Sequence, residues 1–279
     1  MENLKQNIRK AVVADMFYPG DKEILENDIQ NYISKAPQID IKMEKLFGII
    51  SPHAGYQYSG PVAATGFKLL KQHYSKNVII IAPSHREYLC GISIFPGIAY
   101  STPLGDVPIN HKICNIIAEE SKSVFQGLAG HREGHSLEVQ LPFLQTIFQE
   151  GFDLIPMIIG ESSIEEIIDL AKVLKKIREK EDFILIASSD LSHYHPYKIA
   201  TTKDKQFISI LEKYDLEELR NGFQTRSAEA CGIGPILLLM EYAKLCGNAK
   251  CKAFDYRNSG DTAGSKSQVV GYVSAGVYE

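Results

Sequence analysis

Three histidines stand just beyond three short apolar runs. Leu46–Ile50 leads into Ser51-Pro52-His53-Ala54-Gly55-Tyr56, and Val78–Ala82 leads into Pro83-Ser84-His85. Phe183–Ala187 leads into Ser188-Ser189-Asp190-Leu191-Ser192-His193-Tyr194-His195. Neutral imidazole is the commonest protein metal ligand and also the side chain that titrates near neutrality. The three histidines form no compact fingerprint such as H-E-x-x-H, so their shared context carries the reading. In open α/β sheets ligands bind beyond the carboxyl ends of the strands. His53, His85 and His193 are therefore expected to meet in one cleft, as metal ligands, acid/base groups or both. His73 and His111 fall on predicted helix surfaces and are expected to stay outside it.

Cys231 is a further candidate. It sits in Glu229-Ala230-Cys231-Gly232-Ile233-Gly234-Pro235, at the approach to a helix whose first turn suits Pro235. Glycines there allow close backbone approach, and a helix N-terminus favours a thiolate. Cys114 and Cys246 lie inside helical patterns, where a free cysteine usually only packs. Asp190 is suited either to orient an imidazole or to cap a turn. His135-Ser136-Leu137-Glu138 reads as the opening of a helix with Ser136 as its cap, and His135 as a candidate to face the same cleft.

The elements that position these residues follow from hydrophobic patterning. Ile24, Leu25, Ile29, Tyr32 and Ile33 recur at helical spacing over 22–35. The runs Leu46–Ile50, Val78–Ala82, Ile92–Phe95, Leu154–Ile159 and Phe183–Ala187 lack strict alternation, which suits strands buried on both faces. Pro156 predicts an edge or bulged strand for Leu154–Ile159. Residues 163–178 form the clearest helix, with Ser163 and Glu166 as a capping box. Further helices are predicted from near Val62, His111, Ser136 and Lys198, and from Pro235 to a stop at Gly247. Gln268–Tyr278 alternates and should pair with Ala253–Arg257 as a hairpin. Strands alternating with helices predict a three-layer α/β domain spanning 1–279, its central sheet mostly parallel or mixed and flanked by helices.

Composition bounds the partners. The 279 residues carry 30 Lys+Arg and 34 Asp+Glu, a formal charge of −4, with 44% hydrophobic residues. That balance excludes a disordered or fibrous chain. Mild acidity argues against nucleic acid, because basic stretches such as Lys172 to Lys180 are interrupted by acidic residues and suit a solvated helix face. No apolar run approaches the roughly 20 residues of a spanning helix, and MENLKQNIRK is not followed by an apolar leader segment. Five irregularly spaced cysteines give no disulfide framework, so a reduced, cytoplasmic setting is expected.

Six ordered motifs resemble the Memo family, also called AmmeMemoRadiSam system protein B. They are Met16-Phe17-Tyr18-Pro19-Gly20, Ser51-Pro52-His53-Ala54-Gly55-Tyr56, Pro83-Ser84-His85, His135-Ser136-Leu137-Glu138, Ser188 to Tyr194 with Cys231-Gly232, and Tyr256-Arg257-Asn258-Ser259-Gly260-Asp261. The resemblance covers nearly the whole chain. It implies a fold similar to class III extradiol ring-cleavage dioxygenases, which use non-haem iron(II). His53 and His85 fall on the two metal-binding histidines and His193 on the acid/base histidine. Cys231 falls where those dioxygenases place a carboxylate ligand. The implied assignment is His53, His85 and Cys231 on the metal, His193 and Asp190 in catalysis, and His135 and Tyr56 on the substrate side. Iron(II) is the metal implied, and a thiolate makes copper(I) or zinc more favourable than in a two-histidine, one-carboxylate site. Glu229, two residues before Cys231, is a candidate to replace the missing carboxylate. The activity implied is a metal-dependent redox reaction on a small molecule. The alternatives are a non-catalytic module that binds a ligand, a peptide or metal, and zinc-assisted hydrolysis. The family's name also links it to a radical-SAM protein.

Overall fold

The computed structural model describes residues 7–279. In chain order it opens with β1 (Ile8–Arg9), α1 (Lys22–Lys35), β2 (Leu46–Ser51), α2 (Tyr56–Leu70), β3 (Asn77–Pro83) and β4 (Ile92–Ile94). Next come β5 (Ala99–Thr102), β6 (Gly105–Pro108), α3 (His111–Glu120), β7 (Val124–Gln126), a 3-10 turn at Glu138–Gln140, α4 (Leu141–Ile147), β8 (Asp153–Ile159) and α5 (Ile164–Arg178). The remainder is β9 (Ile184–Ser188), β10 (His193–His195), α6 (Tyr197–Lys213), α7 (Leu216–Thr225), α8 (Ile233–Cys246), β11 (Lys250–Asn258), α9 (Ser259–Thr262) and β12 (Val269–Tyr278).

The central sheet runs β10-β12-β2-β9-β3-β8-β4-β7, with β11 also paired to β12. Its middle four strands, β2, β9, β3 and β8, are parallel, and antiparallel pairings to β12 and β4 flank them. The sheet is mixed, as expected, and does not close into a barrel. Helices cover both faces. A side chain at Gly48 would strike Leu239 of α8, whereas Ile49 meets Gly66 of α2, so successive residues of β2 face opposite layers. That double cover is why the middle strands read as unbroken apolar runs. A small sheet, β1-β5-β6, holds the N-terminal strand. Among the described residues no helix is long and apolar enough to cross a membrane.

Three expectations are corrected. β8 is interior, between β3 and β4, despite Pro156. Its partner β4 spans only Met157–Ile159 of β8, and the next contact on that side is a bridge from Ile109 to Leu154. Pro156 thus falls in a gap of the ladder, where a missing N–H costs little. Secondly, α2 starts at Tyr56 rather than near Val62 and carries Pro61 inside it. The Tyr56 N–H donates to the Phe17 carbonyl at 2.7 Å, and Val62, Ala63, Ala64 and Phe67 are buried, so packing offsets the lost helical bond. Thirdly, Ser136 caps no helix: its hydroxyl donates to the Pro83 carbonyl at 2.7 Å. The capping box of α5 and the terminal hairpin are as the sequence predicts.

Candidate metal centre

β9 lies between β2 and β3, all parallel, so their three carboxyl ends are neighbours. From them His53, His85, Asp190 and His193 reach one cleft of about 790 Å³, joined by His135 and Cys231. His53 Nε2 lies 3.1 Å from His85 Nε2 and 3.2 Å from Cys231 Sγ. One donor atom from each of His53, His85 and His135 falls within 4.8 Å of the other two. His135, expected on the substrate side, therefore stands in the compact donor group. Its Nδ1 is buried and has no hydrogen-bond partner. A buried polar atom without a partner is costly, and a metal ion would satisfy it.

The proton arrangement around His53 is closed by its neighbours. The Ser188 hydroxyl donates to the Ser136 carbonyl at 2.6 Å and accepts from Gln140 Nε2 at 2.9 Å. Its only hydrogen is thereby used, so the contact at 2.8 Å to His53 Nδ1 requires the ring N–H to donate to Ser188. Nε2 is left with its lone pair facing His85 and Cys231. Asp190 acts on the same residue from behind. Its carboxylate accepts from the His53 backbone N–H at 2.8 Å, and it orients that backbone rather than an imidazole.

The start of α8 is joined to the end of β9. Cys231 N–H donates to the Asp190 carbonyl at 3.2 Å, and Asp190 N–H donates to Cys231 Sγ at 3.3 Å. A Cβ on Gly232 would sit 2.2 Å from the Ser188 carbonyl oxygen, so only glycine allows this approach.

Burial governs the charge state. It lowers the pKa of His53, His85, His135 and His193, with further lowering in the first three from neighbouring histidines; His135 falls to about 4. Neutral imidazoles with free lone pairs are the form that binds metal. Burial also raises Asp190 to about 7, against the pull of the His53 and Ala54 N–H groups. Burial and then Asp190 raise the Cys231 thiol, so the helix start does not make it a thiolate in the absence of a cation.

Two expected residues are elsewhere. Tyr56 is 4% exposed, donates its hydroxyl to the Val139 carbonyl at 2.7 Å and does not line the cleft; Tyr58 does. Helical geometry turns positions 56 and 58 to different faces. Glu229 contacts His195 Nε2 at 3.2 Å and Lys203 Nζ at 2.5 Å, and is no substitute ligand. The sequence assigned no site role to Phe17, whose ring lies 4.5 Å from His135, or to Tyr194 and Tyr272 in the cleft wall. Nor did it give a role to Ser188 or to Gln140. Among the described residues lining the cleft there is no Lys or Arg.

A family model described as "Memo-like protein" matches residues 9–276. A MEMO1 family protein of Nitrosopumilus maritimus is 35% identical over 269 residues, covering 95% of this chain and 98% of that one. One from Thermoplasma acidophilum is 34% identical, covering 95% and 97%, and one from Methanobrevibacter smithii is 34% identical, covering 96% and 98%. A crystal structure of an uncharacterised Escherichia coli K12 protein superposes with a TM-score of 0.47 at 12% identity, covering 75% of this chain and 90% of that one. With a full-length family match and relatives aligned nearly end to end, the chain belongs to the Memo-like family.

Proposed function

We propose that this chain holds a first-row divalent ion between His53, His85 and His135, that the ion is iron(II), and that the protein is a redox enzyme acting on a small organic molecule. The observation that carries the reading is the convergence of three imidazoles, one with a buried and unpartnered Nδ1. Three neutral nitrogen donors facing an open cleft suit a catalytic ion, which keeps coordination positions for other ligands. Bound iron supplies electron transfer and a place for oxygen-donor ligands.

The chain's own residues supply the rest. Ser188 keeps the hydrogen of His53 on Nδ1, and Asp190 holds the His53 backbone. Phe17, Tyr58, Tyr194 and Tyr272 offer ring faces that bind an apolar ligand and exclude water. His193 lines the cleft with its imidazole held neutral by burial, and a ring nitrogen takes up a proton from the ligand. Cys231 stands beside His53 as a thiol, a reserve donor that favours copper(I) or zinc once ionised. Oxygen uptake by the iron-loaded protein with a panel of small phenols and enols tests this. Uptake with one of them, abolished by His193→Ala with iron retained, is the expected result; uptake independent of His193 would overturn the proton-transfer role.

A second reading is a metal-handling module without turnover. It is favoured by the lack of a carboxylate in the donor group, since Asp190 is bound to backbone and Glu229 to Lys203 and His195. Bound iron with no oxygen uptake on any ligand would favour it.

A further inference from the structure

We infer that Arg9 and Glu138 form a buried clamp that sets His135 in place, which makes the N-terminal strand part of the metal centre; this rests on the proposed three-histidine site. Arg9 is 6% exposed and Glu138 fully buried, and the two are ion-paired. Apart from one bond to the Lys10 carbonyl at 3.1 Å, the guanidinium gives its other donors to the loop that carries His135. Nε donates to the His131 carbonyl at 2.9 Å and a terminal nitrogen donates to the Gly134 carbonyl at 2.5 Å. Arg9 thus holds the loop at its start, immediately before His135, and three residues after it.

Glu138 works in the other direction. Its carboxylate accepts from the Val12 and Val13 N–H groups at 3.0 and 3.1 Å and from the Tyr18 hydroxyl. These residues bracket Phe17, whose ring lies against His135. The loop turns tightly, and both Gly130, at φ +78°, and Gly134, where a Cβ would lie 2.3 Å from the Gly130 carbonyl oxygen, call for glycine. A buried ion pair rarely stabilises a fold more than apolar residues of the same size. One that ties the loop of His135 to the N-terminal segment carrying Phe17 is accounted for by positioning.

The test is titration of the metal-free full-length protein with Co²⁺, read by its visible absorption bands. Arg9→Met leaves a buried carboxylate unpaired and risks unfolding. Arg9→Met/Glu138→Gln removes both charges and keeps an acceptor for Val12, Val13 and Tyr18, so it should fold. That double variant should bind Co²⁺ about 10–100-fold more weakly, the usual effect of losing a residue that orients a ligand. With His135→Ala already in place, the same two changes should alter affinity by no more than about twofold, as for uncoupled sites. Unchanged affinity in the double variant, or an equal loss with and without His135, overturns the clamp while leaving the metal site standing. Failure of the wild-type protein to bind Co²⁺ overturns both.

Discussion

Ser188 carries more of the site than its position in the sequence suggests. A single hydroxyl with one hydrogen, already given to the Ser136 carbonyl, obliges His53 to keep its proton on Nδ1. Ser188→Ala removes that constraint. The protein should stay folded while metal affinity falls about 10–100-fold. Nitrogen NMR of the His53 ring in the metal-free protein should then show mixed tautomers, where the wild type shows one. A single tautomer in both proteins would mean that Ser188 does not set it. At this scale the sequence revealed His53, His85, His193 and Cys231, because each follows or precedes a regular element that fixes its place. It did not reveal which residues hold them. Ser188 is one serine among several near that strand end, and its role depends on Gln140 arriving from a different element. Tyr56 and Tyr58 look equivalent until the start of the helix is known.

The elements meet where β9 hands over to α8. The approach at Gly232 leaves no space for a methyl group against the Ser188 carbonyl and Ser189. Gly232→Ala should cost about 1–3 kcal/mol through overpacking, seen as a lower urea midpoint. It should also weaken metal binding, because Ser188 and Cys231 move with the junction. Outside the histidine cleft, Ser163→Ala removes the hydroxyl that accepts from the Glu166 N–H. It should lower stability by about 1 kcal/mol and leave metal affinity unchanged. Ser163 with Glu166 was readable because a capping box is local. Pro156 misled for the opposite reason, and the helix expected from near Val62 in fact runs through Pro61. Whether a proline is tolerated depends on gaps and burial set by residues far away in sequence, here Ile109 and the Phe17 carbonyl.

Across the molecule, buried neutral histidines make stability depend on pH. His131 is 1% exposed, with Nδ1 2.5 Å from the Tyr100 hydroxyl and Nε2 3.2 Å from the Ser93 carbonyl. The carbonyl can only accept, so Nε2 carries the hydrogen and Nδ1 accepts from Tyr100. Burial lowers the pKa from 6.5 to about 3. The unfolded chain therefore takes up a proton below pH 6.5 that the folded protein refuses until about pH 3. Stability from this residue is whole above pH 6.5 and is lost progressively as pH falls toward 3. Urea midpoints of the metal-free protein should fall between pH 7 and 4.5, and His131→Gln should flatten that fall. An unaltered slope in the variant would assign it to other groups. The mixed sheet and its helical layers were legible from the apolar runs alone. The placing of the N-terminal strand against the loop of His135 was not, since no local pattern links Arg9 to Glu138.

The most direct test of the metal centre is metal content after anaerobic purification with iron(II), on wild type and on His53→Ala, His85→Ala, His135→Ala and Cys231→Ala. The three-histidine site predicts stoichiometric iron in the wild type, its loss from each histidine variant, and its retention in Cys231→Ala. Iron retained in folded His135→Ala but lost from Cys231→Ala would contradict it and place the thiolate on the metal instead.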